Sequence, residues 1–373
     1  MRVTRWIWGL VLLVGACAPP GPDVDPGEHQ TYLVFDYDAV SQEYRLHPEE
    51  IRTLTDPRTV AGEVAFVRGG GRLVSADPTP DTEAEFERAL VVEGDLAPSA
   101  EYTIEDGVVV PFDFDTQMMV TLYHHMERAS DYFASLDFDT DRVGRLPIYY
   151  YPQLSVLGVA LPLFNDNAAY AFTLDAFLIP PRLVLQEDVP LSANRGVIVH
   201  EYSHAVFNRI VYEDDRSPPP VFPGYASAVH NELKSLDEGL ADLFAALALG
   251  QPNFIESSIS SELFEIDRDL SRERVWDEEL QTRVDDANQG GGNPYILGSV
   301  IASTLWATRS IFDDETLGRL ALDAMHQTRN PSEGFSIAFF FNVFMDAAPS
   351  ADRPALCNLF EARLQLIENS LDC

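Results

Sequence analysis

Near the middle of the chain, His200-Glu201-Tyr202-Ser203-His204 sits in an almost unbroken apolar run, with Val197-Ile198-Val199 before it and Ala205-Val206-Phe207 behind. A helix that is apolar on most of its sides has to be buried. Burying two imidazoles and a carboxylate is costly unless other groups pair with them, so this segment dictates a core built around a polar centre. The four-residue step stacks both imidazoles on one face, a turn apart. From there both nitrogens reach a single zinc ion at about 2.1 Å. Glu201 follows the first histidine and points beside such an ion, where a general base for an activated water belongs. Ser192 is the predicted N-cap of this helix. The opposing interpretation, an ordinary helix with two solvent-facing histidines, conflicts with the flanking apolar residues.

A zinc site needs a third protein ligand. A further histidine six residues after His204, with glycine at three, is excluded, because Ile210 and Phe207 stand there. The other route is a carboxylate from a second helix. Leu236-Asp237-Glu238-Gly239-Leu240-Ala241-Asp242-Leu243-Phe244 provides Glu238 and Asp242 on one face of a segment lined by leucines. Glu238 then serves as the metal ligand. Asp242 accepts the outer N–H of a ligand histidine, most simply His200, fixing its tautomer.

With both motifs in view, His200 to Arg209 resembles the signature of gluzincin peptidases related to fungalysin and thermolysin, and Glu238-Gly239-Leu240-Ala241-Asp242 resembles their second motif. The likeness extends over residues 112–373. It implies zinc on His200, His204 and Glu238, with Glu201 as general base and Asp242 behind a ligand. It also implies an endopeptidase with an apolar pocket beside the cleaved bond. More loosely, Asn167-Ala168-Ala169-Tyr170 resembles the edge strand that pairs with the backbone of a peptide substrate.

Two departures stand out. The link from His204 to Glu238 is long, and Ser217-Pro218-Pro219-Pro220 within it reads as an inserted loop. The family's oxyanion-binding histidine is missing from Asn293-Pro294-Tyr295-Ile296-Leu297-Gly298, where Tyr295 takes its place. A phenol can donate to an oxyanion; a merely packed aromatic is the competing role. His230 and His326 are alternative donors, although surface or core roles suit both better. Gly290-Gly291-Gly292 reads as a flexible edge of the cleft.

The predicted class is α+β: a zincin-like catalytic domain, with a mixed-sheet lobe and a mainly helical C-terminal lobe, preceded by a small β-rich region. Residues 31–111 form that β-rich part, as an accessory domain, a retained pro-segment or part of the catalytic lobe. A helix capped by Asp115 or Thr116 follows, with Met119, Leu122, Met126, Ala129 and Phe133 on its apolar face. His124 and His125 on this helix are adjacent, so a regular helix splays them about 100° apart and they read as structural. Asp137, Asp139 and Asp141 mimic the start of a calcium loop, but Arg142 and Ile148 break the pattern, leaving calcium weakly supported. Helical spacing recurs near 295–308, 315–326, 333–347 and 352–368.

Acidic residues outnumber basic ones by 60 to 25, a net charge of −35, which argues against nucleic acid as a partner. The chain contains one lysine, Lys234. Residues 1–16 read as a signal peptide ending in Val14-Gly15-Ala16-Cys17, which resembles a bacterial lipobox. Residues 17–30 then form a tether carrying a lipid anchor on Cys17, and Ala18 mildly favours an outer-membrane or cell-surface address. The two remaining cysteines, Cys357 and Cys373, suit a disulfide in an exported chain. The sequence thus leads to zinc-dependent hydrolysis of a peptide or protein substrate. The alternative is an inactive zinc-containing envelope protein that binds peptide or a partner, and a third reading is a precursor whose residues 31–111 block the cleft.

Overall fold

Alternation of buried and half-buried side chains sets most of the first strand, where Tyr32, Val34 and Asp36 are buried between half-buried neighbours and Tyr37 breaks the pattern by being buried too. The computed structural model describes residues 30–38, 40–41, 43–75, 89–156, 159–161, 168–179, 189–212, 228–259, 267–289, 293–328 and 335–373. The lipobox and most of the tether, Asn165 to Asn167, the Ser217–Pro220 insertion, Gly290–Gly292 and the His230 side chain lie outside the described residues.

The architecture is mixed α+β, with three sheets among the described residues and a helical C-terminal part. β1 (Gln30–Asp38) pairs antiparallel with β2 (Glu43–Ile51). β3 (Leu54–Asp56), β4 (Ala61–Gly62), β5 (Ala65–Gly69), β6 (Arg72–Ser75), β7 (Leu90–Glu93), β8 (Tyr102–Glu105) and β9 (Val108–Pro111) follow. After the first helix come β10 (Leu146–Tyr150), β11 (Gln153–Val156), β12 (Val159–Leu161), β13 (Ala169–Ala171) and β14 (Ala176–Ile179). The central sheet runs β13-β14-β10-β5-β4-β3, and the other two run β2-β1-β9-β8 and β12-β11-β6-β7. β5 pairs in parallel with β10. Strands from both sides of residue 111 therefore share one sheet, and one continuous hydrophobic core spans them. Gly70 and Gly71, at φ 64° and 95°, provide the turn that passes the chain from the central sheet to the β6 sheet.

The helices are α1 (Phe114–Ser135), α2 (Arg195–Phe207), α3 (Ala228–Leu249), α4 (Glu278–Gln289), α5 (Pro294–Ala307), α6 (Asp314–Gln327), α7 (Ile337–Ala347) and α8 (Arg353–Arg363). Two predicted caps are corrected. Asp113 caps α1, its Oδ1 accepting from Thr116 N at 2.8 Å, so Asp115 and Thr116 fall inside the helix. Asn194 caps α2, taking Gly196 N at 2.9 Å and Val197 N at 3.3 Å. Ser192 lies before it, buried in the short 3-10 turn Leu191–Ala193. A better-placed carboxylate or amide wins the orphan N–H groups in both cases. The helix expected from 333 starts at Ile337, where Ser336 caps it. The one expected to 368 ends at Arg363, followed by a 3-10 turn Gln365–Ser370. Cys357 and Cys373 are joined by a disulfide, with Cα atoms 5.6 Å apart.

His124 and His125 are fully buried, and adjacency does not keep them from one point: with Asp36 they form a second buried group that could hold a metal ion. Both approach Asp36 on β1: His124 Nε2 lies 3.5 Å from Oδ2, and His125 Nδ1 lies 3.9 Å from Oδ1. The carboxylate is thus brought near both rings across the strand–helix interface. Arg195, the first residue of α2, reaches the same carboxylate at 3.1 Å. One buried ionic node therefore joins β1, α1 and the start of α2. Asp137, Asp139 and Asp141 do not converge on a common point; Asp139 instead caps a 3-10 turn.

Candidate metal centre

Helices α2 and α3 pack side by side and carry nearly all of the polar centre. His200 Nε2 and His204 Nε2 are 3.1 Å apart, and Glu238 Oε2 lies 3.3 Å from the first and 3.4 Å from the second. All three residues are buried. Donors placed about 2.0–2.1 Å from a tetrahedral ion are separated by about 3.3–3.4 Å. The observed triangle has nearly that size. Buried His/His/Glu donors that can hold a metal ion are thus brought together from two helices, Glu238 lying 34 residues after His204 in sequence.

The chemistry of the donor set points the same way. His204 Nδ1 lies 2.6 Å from Asp237 Oδ1, and His200 Nδ1 lies 2.9 Å from Asp242 Oδ1. Carboxylates only accept, so both Nδ1 atoms carry the hydrogen, and both Nε2 lone pairs face inward. Arg268 Nη2 comes within 3.1 Å of His200 Nδ1, but it too donates to Asp242, so two donors share one carboxylate. Glu238 Oε2 has no hydrogen-bond partner among the described residues. Two imidazole nitrogens and one carboxylate oxygen facing each other in a buried space repel unless a metal ion, or a proton on one ring, stands among them.

Electrostatics agree. Burial works against a charged His204 imidazole, but the carboxylates of Asp237 and Glu238 outweigh it and push the ring up to about 10. Burial raises Glu238, yet Lys234 and His204 hold it well below the usual carboxylate range. Burial likewise opposes ionisation of Asp242, and Arg268 with His200 overcomes it. Glu201, Asp237, Glu238 and Asp242 thus bring four carboxyl groups to the two imidazoles, with Lys234 and Arg268 among the cations that face them.

Glu201 stands beside the triangle. Its Oε2 accepts from the backbone N–H of Tyr170 at 2.7 Å, which ties it to β13. Burial raises its pKa above the ordinary value. Among the described residues β13 is an edge strand of the central sheet; Ala169, half-buried, begins it, and Ala168, buried, precedes it. Tyr295 is also there. It is the second residue of α5, in the first turn behind the Asn293 cap, and Arg268 lies over its ring at 4.8 Å. Burial, followed by the charge of Glu238, keeps its hydroxyl protonated well past the ordinary range. His326, half-buried near the end of α6, is not part of the cluster.

Close helix packing brings Tyr295 near. A Cβ on Gly239 would meet Gly298 O at 2.7 Å, and one on Gly298 would meet Ser235 O at 3.0 Å. Only glycines let α3 and α5 cross at this distance. Three residues of the centre carry no role in the sequence motifs: Asp237, Lys234 and Arg268. Asp237 was visible as the residue before Glu238, and Lys234 as the single lysine. Arg268 follows no motif at all. The chain matches no protein-family model and no curated protein.

Proposed function

We propose that this chain is a zinc-dependent peptidase of the gluzincin type. The observation that carries the reading is the triangle of His200, His204 and Glu238, with both imidazoles held from behind by carboxylates and one carboxylate oxygen left for an ion. His200, His204 and Glu238 would hold zinc, which would supply a water of pKa lowered toward about 7 and polarise the carbonyl to be cleaved. Glu201, raised by burial and oriented by Tyr170 N, takes the proton from the attacking water and passes it to the leaving amine. Tyr295, which keeps its proton, donates to the oxyanion forming on the substrate. The outer edge of β13 offers backbone groups for pairing with an extended peptide.

The lipobox-like segment supports an exported lipoprotein anchored through Cys17. Among the described residues no helix is long and apolar enough to cross a membrane.

The test is to purify the part from about residue 28 onward, measure bound metal, and follow cleavage of an unfolded protein. Zinc near one per chain, with chelator-sensitive cleavage that Glu201→Gln removes, is the expected result. Stoichiometric zinc without cleavage would favour a binding protein, and no bound metal would end the proposal.

A further inference from the structure

Lys234 lies one turn before Glu238 on α3, in the interior of a chain that has no other lysine. Its Nζ is 3.2 Å from Glu238 Oε1 and 3.1 Å from Asp237 Oδ2. The ring of Phe172 lies 5.0 Å away and covers the ammonium as a cation–π partner. The i, i+3 and i, i+4 spacing on one helix allows all three side chains to meet.

Each contact constrains a different ligand. Glu238 has two oxygens, and a carboxylate can offer a metal either one or both. Here Oε1 is engaged by Lys234, while Oε2 alone faces the two imidazoles. Asp237 uses Oδ2 for Lys234 and Oδ1 for His204 Nδ1. A single compact ammonium therefore indexes the ligand carboxylate and the carboxylate behind a second ligand. An ordinary surface ion pair would not be buried, and it would not bridge two groups of the same centre.

We propose that Lys234 is a positioning residue that restrains Glu238 to one-oxygen binding, so that the centre presents three protein donors and keeps its remaining position open. This rests on the metal-centre reading given above. A second carboxylate oxygen would crowd the side where water and substrate must enter, and would add electron density that weakens the ion as a Lewis acid. Lys234 suppresses both effects by occupying Oε1. A lysine suits this because it is a point charge on a flexible stem that reaches two acceptors at once.

Cobalt(II) added as the ion to the metal-free soluble protein reports coordination number through its visible absorption, independently of activity. The wild type is expected to give the intense bands of a four-coordinate ion. Lys234→Met and Lys234→Gln are expected to lose intensity severalfold and to move to a five-coordinate pattern, as Oε1 is released. Lys234→Arg, which still donates to Oε1, is expected to stay close to the wild type. Circular dichroism checks folding, and the Gln variant serves if the Met variant does not fold. Unchanged spectra in folded Met or Gln variants would overturn the role of Lys234 while leaving the metal centre standing. A wild type that takes up no cobalt would instead remove the metal centre, and this inference with it.

Discussion

His204 and Asp237 are joined across the α2–α3 interface at 2.6 Å, Nδ1 to Oδ1, in a buried contact. It is the counterpart of the contact between His200 and Asp242 on the same pair of helices. Each ligand ring thus has its own carboxylate, and the two carboxylates flank Glu238 on α3. Carboxylates in these places raise the basicity of the imidazoles and fix their tautomer.

Asp237→Asn and Asp242→Asn are therefore each expected to lower metal affinity about 10- to 100-fold. Competition against a coloured chelator measures this directly. Asp237→Asn also removes a partner of Lys234, so it should have the larger effect on the coordination spectrum. Equal affinity in both variants and the wild type would show that the rings need no support from behind.

Tyr295→Phe removes only a hydroxyl. If that group donates to the oxyanion, kcat should fall about a hundredfold, with KM and metal content nearly unchanged. The raised pKa of the phenol means the wild type should lose no activity through its ionisation below pH 10. A variant with full activity would reassign Tyr295 to packing against Arg268.

His125 provides a pH dependence whose sign can be worked out. Burial lowers its pKa from 6.5 to about 3, and its Nε2 lies 3.1 Å from Ala193 O. Between those values the unfolded chain binds a proton that the folded chain does not, so folding stability falls as pH drops from about 6.5 toward 3. The slope contributed by one such group is at most about 1.4 kcal/mol per pH unit. Denaturant titrations of the chelated protein at pH 7, 6 and 5 should show this loss, and His125→Gln should flatten it. An identical slope in the variant would remove His125 from the account.

Gly239→Ala tests how closely the helices must approach. The new methyl would sit 2.7 Å from the backbone oxygen of Gly298, which cannot rotate away. Overpacking of this kind costs about 1–3 kcal/mol, seen as a lowered midpoint in denaturant. Because α3 carries Glu238 and α5 carries Tyr295, metal affinity and turnover should decline together. A fully stable variant would mean that the helices have room to spare.

The local pattern was enough to place much of this molecule. Apolar periodicity and spacing determine the α2 and α3 helices, the identity of His200, Glu201, His204, Glu238 and Asp242, and the α+β class, because a helix repeats its faces every turn whatever lies around it. Tertiary structure decided the rest. Asn194, and not Ser192, caps α2 because the preceding residues wind into a 3-10 turn, and two adjacent histidines meet at Asp36 because β1 brings that carboxylate within reach of both. Lys234, Asp237 and Arg268 became part of the centre only when α2, α3 and the segment near 268 were packed together. Ion pairs of that sort depend on distances between elements remote in sequence, and no spacing along the chain records them.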